Sequence, residues 1–153
     1  DPESRSSNNL ARVLLKNYWK IDPQLVSNAG DYGQSADPNT AYVQIGDRTF
    51  GKKEKYNYVY DLADVWKTFT GLPFMFAAWV ANKPLPPQFM DEFNQSLKYG
   101  LDNRATVIAG LPHRNDFDQE DYLMHNLDFS LTSDKKEALN LFINYIKSLN
   151  LLP

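Results

Sequence analysis

An α/β fold with a mainly parallel or mixed sheet is what this sequence predicts, and three observations carry the prediction. Residues 61–70 read as a helix, because Leu62, Val65, Trp66 and Phe69 fall at i, i+3, i+4 and i+7 behind Asp61 as its cap. Gly71 stops that helix, and Pro73–Ala81 (PFMFAAWVA) follows as an unbroken apolar run. The run is too short for a membrane span and lacks the alternation of a one-sided strand, so it predicts a strand covered on both faces. Ala41–Asp47 (AYVQIGD) reads as a second short buried strand ending in a Gly-Asp turn, the place where open α/β sheets present ligand-binding groups.

The remaining elements follow from helical spacing and punctuation. A first helix is expected from about Ser6 to Tyr18, with Leu10, Val13, Leu14 and Tyr18 on its buried side and Ser and Asn residues clustered at its start. After a short segment around Leu25 and Val26, Gly30–Asn39 is rich in Gly, Asp, Asn, Pro and Ser and reads as an exposed loop. Asn82–Pro87 is a proline-punctuated connection in which Pro86 or Pro87 suits a helix start, and Phe89, Phe93 and Leu97 follow on one face. Leu101–Ala109 gives a weaker helical signal, Gly110–Phe117 a polar loop, Asp118 a cap for a short helix, and Leu127–Leu131 a weak last strand. Ser133 opens a terminal helix that stacks Ala138, Phe142, Tyr145 and Leu149. Strong strand signals are therefore few against the helices, whereas a typical sheet has about five to six strands. The edges of Pro73–Ala81 should seek a partner, either a segment preceding this chain or a second copy in a dimer.

Composition excludes several functions. The chain has 153 residues, 42% hydrophobic and 23% charged, which is the make-up of a soluble globular protein and not of a disordered one. A net charge of -3 with scattered Lys and Arg gives no field that would draw it to nucleic acid or to an anionic membrane. The absence of cysteine removes disulfides, thiolate nucleophiles and Cys-ligated metals, and fits a reducing, cytoplasmic compartment. No signal-peptide pattern opens the chain, and its start at Asp1-Pro2 without Met leaves room for a preceding segment. His113 and His125 stand far apart without a ligand-spaced partner, so neither a metal site nor a nucleophilic triad is indicated. Gly30, Gly33 and Gly46 lack the spacing of a phosphate loop.

The candidate site residues each admit two readings. Arg5, Ser6 and Ser7 open the first helix, where free N–H donors and the positive end of the dipole can hold an anion. Ser6 or Ser7 can equally be a simple cap and Arg5 a solvated side chain. Asp47 is either a cleft group that orients a substrate hydroxyl or assists proton transfer, or a turn former after a strand. Thr70 and Gly71 either border a cleft or only end the helix, Gly71 as a left-handed terminator. Trp66, Phe74, Phe76 and Trp79 read as core.

Four segments together resemble the menaquinone-biosynthesis family that includes chorismate dehydratase, the first enzyme of the futalosine route. They are Asp1–Leu10 (DPESRSSNNL), Val43–Phe50 (VQIGDRTF), Tyr60–Ala81 with its Trp-x-x-x-Thr-Gly-Leu-Pro-Phe-x-Phe-Ala core, and the tail from Asp121. The resemblance spans nearly the whole chain. It implies a two-lobed, periplasmic-binding-protein-like (type II) fold with ligand in the cleft, residues 1–70 forming the second lobe and 71–153 a return strand and the C-terminal helices of the first. It implies that a part supplying strands of the first lobe precedes Asp1. It also implies a lyase that needs no cofactor and dehydrates the dicarboxylate chorismate, and it favours Arg5, Ser6 and Ser7 as substrate-binding residues, while Asp47 as the catalytic group and Thr70 and Gly71 as substrate-binding residues each remain one of two readings. The family commonly has Thr where Ser6 stands and a small residue where Arg48 stands. A solute-binding module sharing the fold without catalysis is the alternative, as is a related enzyme later in the same pathway, since fold alone does not fix function.

Overall fold

The computed structural model describes residue 1, residues 3–26 and residues 39–151. Its helices are α1 (Arg5–Asn17), α2 (Leu62–Thr70), α3 (Pro87–Asp102), α4 (Arg104–Ala109), α5 (Gln119–Asp121) and α6 (Ser133–Ser148), with 3-10 turns at Gly46–Thr49 and Lys53–Lys55 and a π-helical turn at Tyr122–Asn126. The chain divides into two compact units, one made of Asp1–Ala77 with Leu131–Pro153 and the other of Ala78–Ser130.

In the first unit α1, α2 and α6 surround one core. Ser4 caps α1: its Oγ accepts the Ser7 N–H at 3.0 Å, which satisfies one of the free donors of the first turn. Leu10, Val13 and Leu14 then recur on one face and are fully buried. Asp61 caps α2 through Oδ1, accepting from Ala63 N–H at 2.8 Å and Asp64 N–H at 3.3 Å. Asp61→Ala is therefore expected to lower folding stability by about 1 kcal/mol. An unchanged midpoint in urea would show that the cap contributes nothing.

Trp66 is the centre of this core. Its indole is fully buried, with edge contacts to Phe74 at 5.5 Å, Phe142 at 5.9 Å and Tyr145 at 6.2 Å between ring centroids. Phe142 and Ile146 come from α6, which Thr132 caps by accepting the Lys135 N–H at 3.4 Å. The expected helix phases of 61–70 and 133–148 are thus both realised, the terminal helix adding Ile146 to its buried face.

The second unit is helical and open. Pro87 starts α3 at the position where a missing N–H costs nothing, Phe89 stacks on Phe93 at 6.0 Å, and Trp79 meets the edge of Phe93 at 5.6 Å. Asn103 breaks the helical path between α3 and α4, and Arg104 fastens the break, donating from Nε to Leu101 O at 3.2 Å and from Nη1 to Leu123 O at 2.9 Å. Asp118 caps α5 as expected, accepting from Asp121 N–H at 2.9 Å. Arg114 grips Asp116 through two hydrogen bonds, at 2.9 and 2.6 Å, and these hold the Asp116 carboxyl below the usual carboxylate range.

Several expectations are corrected. Among the described residues no strand forms, so Ala41–Asp47, Pro73–Ala81 and Leu127–Leu131 are irregular chain, and Gly46–Thr49 is a 3-10 turn. Pro73–Ala81 is not a buried strand: Phe74 packs on the core, but Phe76 is 45%, Trp79 79% and Val80 82% exposed. The physical reason is that an apolar run becomes a strand only where another strand meets its N–H and C=O groups, and no described segment does so. Trp79 and Phe76 are accordingly not core residues here, whereas Trp66 is. The cap of α1 is Ser4 and not Ser6 or Ser7. Of the loop expected at Gly30–Asn39, all but Asn39 lies outside the described residues.

Candidate functional site

The first turn of α1 presents Arg5, exposed, Ser6, half-buried, and Ser7, buried. Because Ser4 already takes the Ser7 N–H, the donors left to a ligand there belong to the turn's first residues, with the Ser6 hydroxyl 3.4 Å from Ser4 Oγ. The residues leading into α1 are themselves fixed. Asn8 Nδ2 donates to Asp1 O at 2.7 Å, and Glu3 N–H donates to Asp1 Oδ1 at 3.0 Å.

Asp47 lies in a turn that the sequence shapes tightly. Gly46 takes φ +65°, in the left-handed region that favours glycine, Thr49 Oγ1 donates to Gly46 O at 2.8 Å, and Phe50 N–H donates to Asp47 O at 3.3 Å. Arg48 of this turn reaches back to the start of the chain. Its Nη2 donates to Glu3 Oε2 at 2.5 Å and to Asp1 Oδ1 at 3.4 Å, with Asp1 Oδ2 at 3.1 Å. The Asp1 carboxylate is almost wholly enclosed, at 1% side-chain exposure, so Arg48 supplies the opposite charge that a buried carboxylate requires. The structure thereby ties the turn carrying Asp47 to the residues that lead into Arg5, Ser6 and Ser7.

Thr70 and Gly71 stand elsewhere in the same unit. Thr70 Oγ1 donates to Trp66 O at 2.8 Å and accepts Leu72 N–H at 3.1 Å, and Gly71, at φ +76°, donates its N–H to Lys67 O at 2.8 Å. Both terminate α2. The neighbouring Phe69 packs on Tyr18 at 5.6 Å, just beyond the C-terminal end of α1. From Ser6 to Tyr18 the rise of an α-helix amounts to roughly 18 Å. The Thr70–Gly71 turn thus lies towards the end of α1 opposite Ser6 and Ser7.

Sequence reasoning missed the partners of Arg48. Its charge is visible in the sequence, but Asp1 and Glu3 lie more than forty positions away, and no local spacing links them. Ser4 as the cap was legible in principle, as the first hydroxyl of Ser-Arg-Ser-Ser. Tyr42 Oη and Trp66 Nε1 are buried without a hydrogen-bond partner, and neither was foreseen.

Among the described residues no helix is long and apolar enough to cross a membrane, and no three His, Cys, Asp or Glu side chains are grouped to hold a metal ion. No solved structure matches the chain. The sequence does match a family along nearly its whole length, including the Ser-Arg-Ser-Ser start of α1, the Ile-Gly-Asp turn and the Thr-Gly-Leu-Pro-Phe end of α2. The chain belongs to the menaquinone-biosynthesis family, whose model matches residues 1–148.

Proposed function

We propose that this protein is a lyase of menaquinone biosynthesis that dehydrates chorismate to 3-[(1-carboxyvinyl)oxy]benzoate. Family membership supports an enzyme of that pathway. The observation that carries the specific reading is the resemblance of the Ser-Arg-Ser-Ser, Ile-Gly-Asp and Thr-Gly-Leu-Pro-Phe segments to the family that includes chorismate dehydratase, within the matched residues 1–148. Chorismate has two carboxylates, a ring hydroxyl and a ring hydrogen beside it. Dehydration breaks the C–H bond, uses its electron pair to form a ring double bond, and expels the neighbouring hydroxyl, which leaves as water once protonated. The product ring is aromatic, and this supplies the driving force.

The chain's own groups suit the parts of this reaction. Arg5, the Ser6 and Ser7 hydroxyls and the first N–H groups of α1 bind a carboxylate, where dipole and charge act together. Asp47 orients the leaving hydroxyl or carries a proton to it. Thr70 and Gly71, which end α2 towards the other end of α1, serve the fold of this unit in this reading. In this reading the protein has the two-lobed architecture of periplasmic binding proteins, works without a cofactor and acts in the cytoplasm; the resemblance of its sequence segments supports these points.

The test is to incubate the complete, full-length protein with chorismate and follow its mass and ultraviolet spectrum. A product lighter by one water with the absorbance of a substituted benzoate is expected, and unchanged chorismate at high protein concentration would overturn the proposal. Replacing Arg5 and Ser6 together by Ala should weaken chorismate binding by about 1–3 kcal/mol through loss of charged hydrogen bonds. Equal affinities by calorimetry would leave Arg5 and Ser6 with only a structural role at the helix start.

A further inference from the structure

We propose that Arg48 is a positioning residue, whose ion pairs with Asp1 and Glu3 fix the Gly46–Thr49 turn and so hold Asp47 in place; the inference rests on the proposed role of Asp47. The contacts form one continuous path. Asn8, in α1, holds Asp1 by its carbonyl at 2.7 Å; the Asp1 carboxylate accepts from Glu3 N–H and faces Arg48; and Arg48 is the residue next to Asp47. Asn8 anchors Asp1 on α1 and Glu3 N–H holds the Asp1 carboxylate, so the guanidinium docks on a carboxylate already in position. One end of the path is enclosed and the other is open, with Asp1 at 1% and Glu3 at 69% side-chain exposure. A lone exposed pair contributes little, but a guanidinium shared by two carboxylates, one of them out of water, forms a network with a defined geometry.

Arg48 links the turn to residues outside it. It is four residues long, it follows irregular chain, and its own hydrogen bonds, Thr49 Oγ1 to Gly46 O and Phe50 N–H to Asp47 O, set its internal shape. They do not set where it sits relative to α1. Arg48 of this turn carries ion pairs to the start of the chain. A catalytic carboxylate displaced by about 1 Å can cost up to ~100-fold in rate, so even a partial loosening is measurable.

The test compares wild type with Arg48→Ala, Arg48→Lys, Glu3→Gln and the Arg48→Ala/Glu3→Gln pair in three measurements. These are amide hydrogen exchange at Gly46–Thr49 without ligand, kcat and KM for chorismate, and the unfolding midpoint. Arg48→Ala should speed exchange in the turn and, where the variant is fully folded, lower kcat roughly three- to tenfold with KM little changed, while the unfolding midpoint falls because the enclosed Asp1 carboxylate loses its counter-charge. Arg48→Lys should restore part of both effects, because it returns the charge without the planar fork. Glu3→Gln should have a smaller effect alone and none in the Arg48→Ala background. Wild-type exchange and wild-type kcat in Arg48→Ala would overturn the positioning role, as would a loss that follows the unfolding midpoint alone. If wild type itself leaves chorismate unchanged, the proposed reaction falls, and the exchange measurement still decides whether Arg48 holds the turn.

Discussion

Trp66→Ala is expected to remove about 3–5 kcal/mol of folding stability, the range for deleting a large aromatic side chain from a packed core. The indole is fully buried and has Phe69, Phe74, Phe142 and Tyr145 around it. These neighbours come from α2 itself, from the chain just after it and from α6, so no single element can move in to fill the void. Since a whole domain has only about 5–15 kcal/mol of stability, the loss would be a large share of it. A second substitution separates packing from polarity. Trp66 Nε1 is buried without an acceptor, and a donor in that state costs roughly 1–3 kcal/mol. Trp66→Phe removes that donor along with part of the ring, and should cost at least about 1 kcal/mol less than Trp66→Ala. Urea denaturation of the three proteins measures both effects. Equal losses for Ala and Phe would mean that the benzene ring of the indole adds nothing to the core, contrary to its edge contacts.

The same residue shows which parts of the fold the sequence made legible. Trp66 was identifiable as core because Leu62, Val65, Trp66 and Phe69 repeat with the helical period, and a helix satisfies its own backbone, so its local pattern suffices. Asp61 and Gly71 bounded it for equally local reasons, a carboxylate that accepts two N–H groups and a residue that takes φ +76° without strain. Pro73–Ala81 was different. Its hydrophobicity is as clear as that of any segment in the chain, but a strand is defined by its neighbours, and nothing within nine residues reports whether a neighbour exists. Phe74 found the Trp66 cluster while Trp79, five positions on, remained exposed apart from its contact with Phe93. The site divides in the same way. Arg5, Ser6 and Ser7 at a helix start were local features, as was the turn around Asp47, whereas the link between the two depends on an ion pair spanning 45 positions from Glu3 to Arg48. Opposite charges so far apart have many possible pairings in a chain with nineteen acidic residues, and only the folded arrangement selects one.

Asp47→Asn is expected to lower kcat for chorismate dehydration by about 10²- to 10⁴-fold, the range for losing a positioned acid or base. The amide has nearly the shape of the carboxylate, can still form hydrogen bonds and keeps the turn chemistry of Asp, so Gly46–Thr49 should hold its form. What it cannot do is exchange a proton with a leaving hydroxyl. Asp47 is exposed in this structure, and its replacement should leave the unfolding midpoint within about 0.5 kcal/mol of wild type, as surface changes usually do. Stability and rate are thus expected to separate, in contrast to Trp66→Ala, where both are lost together. Rate also separates Asp47 from Arg48: direct proton transfer predicts a loss of at least about a hundredfold for Asp47→Asn. Positioning through a partly exposed ion pair predicts roughly three- to tenfold for Arg48→Ala. The measurement is steady-state turnover of chorismate for the two variants beside wild type, with binding of chorismate to each checked by calorimetry. Wild-type turnover in Asp47→Asn would reduce Asp47 to a turn former and shift the search for the proton carrier to other groups, including the carboxylates of the substrate itself.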